Sequence, residues 1–309
     1  MLTQAQIDQY HSEGYVTVAD VYPMALIEEL RQLTDELVDA SRQVTCHTEV
    51  YDIDPAHSAE VPLVRRIKQP ADHFEPYRRA LRYEPMLDMV SQLIGPELRY
   101  QNTKLNLKPP RMGTAVEWHQ DLAGYPHTNE DILAVGIPID DMFVENGALM
   151  VLPDSHKGPV FNHHTDDGIY VAVINDSGFS DESAVPLEVS AGGITIHHGR
   201  MVHGSRPNFS GQSRRLLLIE LRATDAWPLV GISDWDKFNA RILRGQICYA
   251  PRLEKVPVRI PYPEPPTSGS IFEGQQYATN KRLATSSVDR EPTSIAARCG
   301  SAQESSVKE

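Results

Sequence analysis

Five pairs in this sequence set a histidine two residues before a carboxylate: His11/Glu13, His47/Glu49, His73/Glu75, His119/Asp121 and His164/Asp166. An imidazole beside a carboxylate offers two of the ligands a divalent metal needs, so each pair is a candidate for metal-based chemistry. Twelve histidines and 42 acidic residues produce some such pairs by chance, so the surrounding element must choose among them. Glu117-Trp-His-Gln-Asp121 lies in a stretch read as a strand over about 116–122, where residues i and i+2 project from one face. His11/Glu13 falls on an expected helix, where i and i+2 point about 200° apart. His47/Glu49 and His73/Glu75 flank helices in polar stretches, and His164/Asp166 sits in a loop-like run.

A facial metal site needs a third ligand from elsewhere. The segment Ala191-Gly-Gly-Ile-Thr-Ile-His-His-Gly-Arg-Met-Val-His-Gly-Ser205 offers His197, His198 and His203. Two histidines and one carboxylate leave three positions open on an octahedral iron, the set typical of oxygen-activating non-haem iron(II) enzymes. The same triad can also hold a tetrahedral zinc in a hydrolase. Eleven residues after His203, Arg214 opens the strand Arg-Arg-Leu-Leu-Leu-Ile-Glu-Leu221. A guanidinium in a closed pocket pairs bidentately with a carboxylate. A keto acid with a distal carboxylate, such as 2-oxoglutarate, would span metal and arginine together. Alternation alone does not separate Arg214 from Arg215, because the strand is apolar on both faces.

The elements that must hold these residues are legible in outline. Thr3 and Gln6 form an expected capping box for a first helix, with Gly14 at its end. Leu26, Ile27, Leu30, Leu33 and Leu37 repeat at helical spacing in a second helix over about 23–44. A third helical stretch is expected over about 72–94. From Leu98 the pattern changes to short strands, at about 99–107, 116–122, 132–139, 148–152, 169–174, 193–198 and 214–223. That order predicts a mainly β fold, an antiparallel sandwich or jelly roll flanked by N-terminal helices. A short helix is expected near 234–243. Six prolines over 251–266 predict an extended segment. We read 1–279 as one domain, with its core at about 98–225 and an extension at 226–279, and 280–309 as a disordered tail.

Composition limits the classes. Hydrophobic residues make up 40% of the chain and charged residues 23%. Both shares are ordinary for a globular protein. The net charge of −13 disfavours nucleic acid and anionic membranes as partners. No signal peptide, membrane span or peroxisomal tripeptide is apparent, so a cytoplasmic setting is the default expectation. Cys46, Cys248 and Cys299 lie far apart, which suits free thiols.

The pieces also occur in a recognisable order. Glu13-Gly-Tyr-Val-Thr-Val18, Asn106-Leu-Lys-Pro109, His119-Gln-Asp121, Asn146-Gly-Ala-Leu-Met-Val-Leu-Pro-Asp-Ser-His-Lys157, His203-x-Ser205 and Arg214 follow one another. From about Gln6 to Ala223 the chain resembles the phytanoyl-CoA dioxygenase family, double-stranded β-helix (cupin-like) oxygenases that include ectoine hydroxylase. The resemblance implies Fe(2+) on His119, Asp121 and His203, with 2-oxoglutarate and O2 as co-substrates. It implies that Arg214 binds the C5 carboxylate, with Ser205 beside it and Asn106 or Asn102 near the C1 end. It also implies hydroxylation of an unactivated C–H bond in a small molecule, giving succinate and CO2. Tyr125 and His127, just past the metal pair, and Trp118 are candidates for substrate contact, although Trp118 reads first as core packing. The alternatives are a catalytically inert jelly-roll interaction protein and a zinc hydrolase.

Overall fold

The computed structural model describes residues 1–265 and 270–284. Twelve strands are present among them: β1 (Tyr15–Val18), β2 (Tyr51–Ile53), β3 (Val64–Lys68), β4 (Leu98–Lys108), β5 (Val116–His119), β6 (Ile132–Pro138), β7 (Leu149–Val151), β8 (Val185–Pro186), β9 (Ile194–His198), β10 (His203–Ser205), β11 (Arg214–Ala223) and β12 (Ile242–Arg244). The helices are α1 (Gln4–Glu13), α2 (Met24–Ala40), α3 (Pro70–His73), α4 (Glu75–Leu81), α5 (Glu84–Ile94), α6 (Asp121–Gly124), α7 (Trp235–Ala240) and α8 (Ile271–Gly274).

The strands form a large antiparallel sheet, ordered β1-β9-β6-β11-β4-β3-β2 with β12 paired to β4, and a small one, ordered β5-β10-β7-β8. This is the expected mainly β jelly roll. Each strand of the large sheet alternates between two environments. Leu105 and Leu107 of β4, Leu133, Val135 and Ile137 of β6, and Leu217, Ile219 and Leu221 of β11 join one apolar cluster with Ile27 and Leu30 of α2 and Leu87 and Val90 of α5. The helices therefore cover one face of the large sheet, and the intervening residues line the space toward the small sheet. Burying this set is the main stabilising term at about 25 cal/mol per Å² of apolar area.

Several expectations hold in detail. Thr3 and Gln6 form the capping box, and Gly14 ends α1 in the left-handed region at φ 85°. β11 occupies 214–223 as read from sequence. Other expectations need correction. The single helix expected over 72–94 is three helices, because Pro76 and Pro85 each restart a helix after an extended residue at 74 and 83. No strand forms at 169–174, where Tyr170 makes only an isolated bridge to His164. The strand expected to reach 122 ends at His119. Cys46 is disulfide-bonded and Cys248 is free, so the expectation of free thiols fails for Cys46.

Beyond β11 the chain folds back over the roll, with the Tyr170 amide donating to the Pro263 carbonyl at 2.9 Å. Of the tail expected from residue 280, positions 280–284 lie within the structure, and Leu283 is buried against Trp118, Phe179 and Val202. Residues 285–309 lie outside those described. No helix among the described residues is long and apolar enough to cross a membrane.

Candidate metal centre

His119 and His203 come from opposite ends of the core but stand directly across from each other, as register partners of β5 and β10. Their ring centroids are 4.1 Å apart. Gln120 remains extended at φ −125° and ψ 126°, so Asp121 keeps the same side as His119 although it already opens α6. One ligand atom from each of His119, Asp121 and His203 lies within 4.8 Å of the other two. Asp121 Oδ1 is 3.9 Å from His119 Nε2, and Oδ2 is 3.9 Å from His203 Nε2.

Backbone carbonyls fix both rings. His119 Nδ1 donates to the Glu117 carbonyl at 2.8 Å, and His203 Nδ1 donates to the Met201 carbonyl at 2.9 Å. With the proton on Nδ1, each Nε2 lone pair faces Asp121, the arrangement that orients metal-binding histidines. Burial pushes His119 down to about 4 and His203 well below its ordinary value, so both stay neutral at pH 7. Burial opposes the charge of Asp121, but Lys104, His203, His197 and His119 outweigh it and hold the carboxyl well below the usual range. Two neutral nitrogens and one carboxylate oxygen are the donor set that suits a divalent transition metal.

Glu117, beside this pair in sequence, faces away from it and ties down the segment 282–284. Its carboxylate accepts the amides of Arg282, Leu283 and Ala284 at 2.8, 2.9 and 2.8 Å.

The buried histidines make the metal-free protein acid-sensitive. His119 sits near 4, and His163 and His198 near 3, all because of burial, against an ordinary value of 6.5. Between those values the unfolded chain takes up protons that the folded one refuses, so stability is full above about pH 6.5 and declines toward pH 4. Each such histidine contributes a slope of about 1.4 kcal/mol per pH unit in that window. The urea midpoint should therefore be lower at pH 5 than at pH 7. An unchanged midpoint would contradict the neutral, buried state of these rings.

The second part of the site lies on the inward face of β4 and β11. Arg214 is 2% exposed, and its Nε and Nη1 have no hydrogen-bond partner. Its cross-strand partner is Lys108, also 2% exposed. Lys108 Nζ donates to Ser205 Oγ at 2.7 Å and to the Arg206 carbonyl. Gly147 makes room for this lysine: a Cβ there would come within 2.5 Å of the Arg206 carbonyl oxygen and 3.0 Å of Lys108 Cδ. Among the described residues no carboxylate lies within ion-pair distance of either cation. Burial, then the neighbouring Arg214, drives the Lys108 ammonium well below its usual value. Two adjacent buried cations with no carboxylate in direct contact fit a carboxylate ligand.

Arg215, the alternative to Arg214, instead faces the helices. It donates to Asp140 at 2.7 and 2.8 Å and to Asp35 at 2.6 Å. Asn106, two residues before Lys108 on the inward face, keeps a buried Oδ1 without a partner, and Asn102 lies opposite Glu220.

The remaining candidates separate. Tyr125 is on the metal side, with its hydroxyl buried and Asp121 and Glu220 adding to the burial that raises its pKa. His127 is fully buried with both ring nitrogens engaged, Nδ1 on the Tyr125 carbonyl and Nε2 on Arg222. Trp118 points away from His119 into the cluster with Phe179 and donates to Asp181 Oδ2 at 2.8 Å. His198 accepts the Arg200 amide and its ring lies tilted at 50° against His156, away from the triad. His197 does reach the site, with Nε2 3.7 Å from Asp121 Oδ2 and its ring 4.5 Å from His203. Lys104 was not singled out by the sequence; its Nζ lies 2.7 Å from Glu220 Oε1 and 4.0 Å from Asp121 Oδ1.

Comparison with known proteins agrees with this geometry. The family model described as Phytanoyl-CoA dioxygenase (PhyH) matches residues 10–216. A probable alpha-ketoglutarate-dependent hypophosphite dioxygenase from Stutzerimonas stutzeri is 33% identical over 279 residues, covering 88% of this chain and 97% of that protein. EvdO2 from Micromonospora carbonacea var. aurantiaca, solved in complex with 2-oxoglutarate, superposes with a TM-score of 0.58 at 25% identity, over 76% of this chain and 94% of that one. The non-heme alpha ketoglutarate dependent carbocyclase SnoK from nogalamycin biosynthesis shares the fold, with a TM-score of 0.61 at 21% identity, over 81% of this chain and 94% of that one.

Proposed function

The chain belongs to the phytanoyl-CoA dioxygenase family of iron(II)- and 2-oxoglutarate-dependent oxygenases, and from that premise we propose that His119, Asp121 and His203 hold the iron while Arg214, Lys108 and Ser205 receive the C5 carboxylate of 2-oxoglutarate. The observation that carries the reading is the pairing of the triad on the small sheet with an orphaned, buried guanidinium on the large sheet, whose neighbour Lys108 reaches Ser205 two residues past His203. When bound, iron and 2-oxoglutarate supply the oxidising chemistry: 2-oxoglutarate and O2 yield succinate and CO2, one oxygen atom entering succinate and the other an X–H bond of a small-molecule substrate.

The residues of the chain do the rest. His119 and His203 present neutral nitrogens whose aim is set by the Glu117 and Met201 carbonyls. Asp121 brings a single negative charge, so a divalent ion there keeps a net positive charge that attracts the 2-oxoglutarate dianion. Because Asp121 fills the carboxylate position, no place is freed for halide, and halogenation is not expected. The unpartnered Asn106 Oδ1 supports its assignment to the keto-acid end, and the closeness of Tyr125 to Asp121 and Glu220 supports its assignment to the substrate side. The relative from Stutzerimonas stutzeri, named for hypophosphite, extends the range of bonds from C–H to P–H.

Lys108 gives a test of the co-substrate site. Lys108→Met removes one of two cations while Arg214 remains, so the KM for 2-oxoglutarate should rise by about tenfold, as expected for one hydrogen bond to a charged group. The kcat at saturating 2-oxoglutarate should change little. Steady-state kinetics with varied 2-oxoglutarate check this; an unchanged KM would remove Lys108 from the site.

A further inference from the structure

Farther along β4 and β11 from Arg214, the inward row carries a second set of charges. Lys104 and Lys108 both lie on β4, four residues apart with Asn106 between them on the same face. At a rise of about 3.3 Å per residue, the two lysines are separated by about 13 Å along the strand. Lys108 and Arg214 mark the distal end of 2-oxoglutarate. Lys104 therefore stands well away from the Lys108 and Arg214 end and beside the triad, its Nζ 4.0 Å from Asp121 Oδ1.

Three features of this lysine point to a ligand. Its side chain is 15% exposed, against 6% for Asp121 and 2% for Glu220, so it is the most accessible of these three charged groups. Its ammonium has three donors, and Glu220 occupies one of them. The charge nearby is also unbalanced. Arg222 and Arg99 are cross-strand partners on the same inward row, and each keeps a buried Nε without a hydrogen-bond partner. Glu220 and Asp121 are thus two carboxylates against three cations, although Arg99 also donates to the Phe238 carbonyl and lies over its ring and Arg222 meets His127; like charges placed directly opposite are unfavourable unless something offsets them.

We propose that Lys104 is the recognition point for the substrate, and that the substrate is a compact oxyanion held between this ammonium and the metal. The inference rests on the iron and 2-oxoglutarate reading above. A neutral or long-chain substrate would leave the second and third Lys104 donors unsatisfied in a largely closed site. An oxyanion satisfies them and offsets the excess positive charge. The hypophosphite named for the relative from Stutzerimonas stutzeri is an anion of this class.

The test uses the whole protein, anaerobic and loaded with iron(II) and 2-oxoglutarate, titrated with sodium hypophosphite and separately with methylphosphonate. Binding beside the iron should shift the visible charge-transfer band saturably with at least one of the two anions, and glycerol should leave the band unmoved. Lys104→Met should keep the 2-oxoglutarate band but need at least about 30-fold more anion for the same shift, the lower end of what loss of a buried charged partner costs. Lys104→Arg should recover part of the affinity. The double variant Lys104→Met/Glu220→Gln, which leaves no unpaired buried carboxylate, should bind as weakly as the single one. A band that forms but ignores both anions, or anion binding undiminished in both methionine variants, overturns the proposal. Absence of any band in the unsubstituted protein would instead remove the iron reading beneath it.

Discussion

Asp121→Ala is expected to abolish turnover, with succinate formation falling by at least about a thousandfold. The carboxylate is the sole anionic member of the triad, and it is held ionised although it is buried. Without it, a metal ion would face two neutral nitrogens and the Lys104 ammonium, which repels it. Loss of one of three ligands removes both affinity and the facial geometry. The variant should fold, because α6 is a single turn whose backbone bonds do not involve the Asp121 side chain. Succinate release measured with excess iron(II), alongside circular dichroism, checks the prediction. Retained activity in a folded variant would displace Asp121 from the metal site.

Arg214→Met should act on the co-substrate rather than on the metal. Truncating one partner of a buried charge pair costs about 2–5 kcal/mol, which raises the KM for 2-oxoglutarate by about 30-fold to several thousandfold. Iron binding in the absence of 2-oxoglutarate should persist, because Arg214 touches none of the three candidate ligands. Its neighbour supplies the contrast. Arg215→Met would sever contacts to Asp35 and Asp140, so it should lower the melting temperature while leaving the KM near its original value. If the two variants exchanged these effects, the side of β11 that faces the co-substrate would be misassigned.

The sequence reached His119 and Asp121 because the chain between them is extended, where a spacing of two residues has a fixed meaning, whereas His203 was chosen over His197 and His198 by the family resemblance. His119 and Asp121 could be placed on one face before any fold was known. The pairing of His203 with His119 could not, since β10 is a three-residue strand built of His-Gly-Ser with no apolar alternation to reveal it. Arg214 and Arg215 were indistinguishable from pattern alone, because Leu216 to Leu221 is buried on both faces. Register with β4 separated them: Lys108 lies opposite Arg214 and the core residue Leu107 opposite Arg215. Lys104 was missed, and Lys108 was left undecided between a surface and an active-site role, for a related reason. Lys104 and Lys108 alternate with Leu105 and Leu107 as any half-solvated strand would, and only closure by the small sheet turns that polar face into an interior. The broken helix at 72–94 was legible in Pro76 and Pro85, but strong apolar spacing across them favoured one continuous element.

The central claim is that three side chains and one guanidinium together bind iron(II) and 2-oxoglutarate. Anaerobic addition of both to the purified chain tests it most directly. A visible absorption band should appear only when both are present and should saturate at one iron and one 2-oxoglutarate per chain. A colourless sample, or a band that survives unchanged in Asp121→Ala, would contradict it.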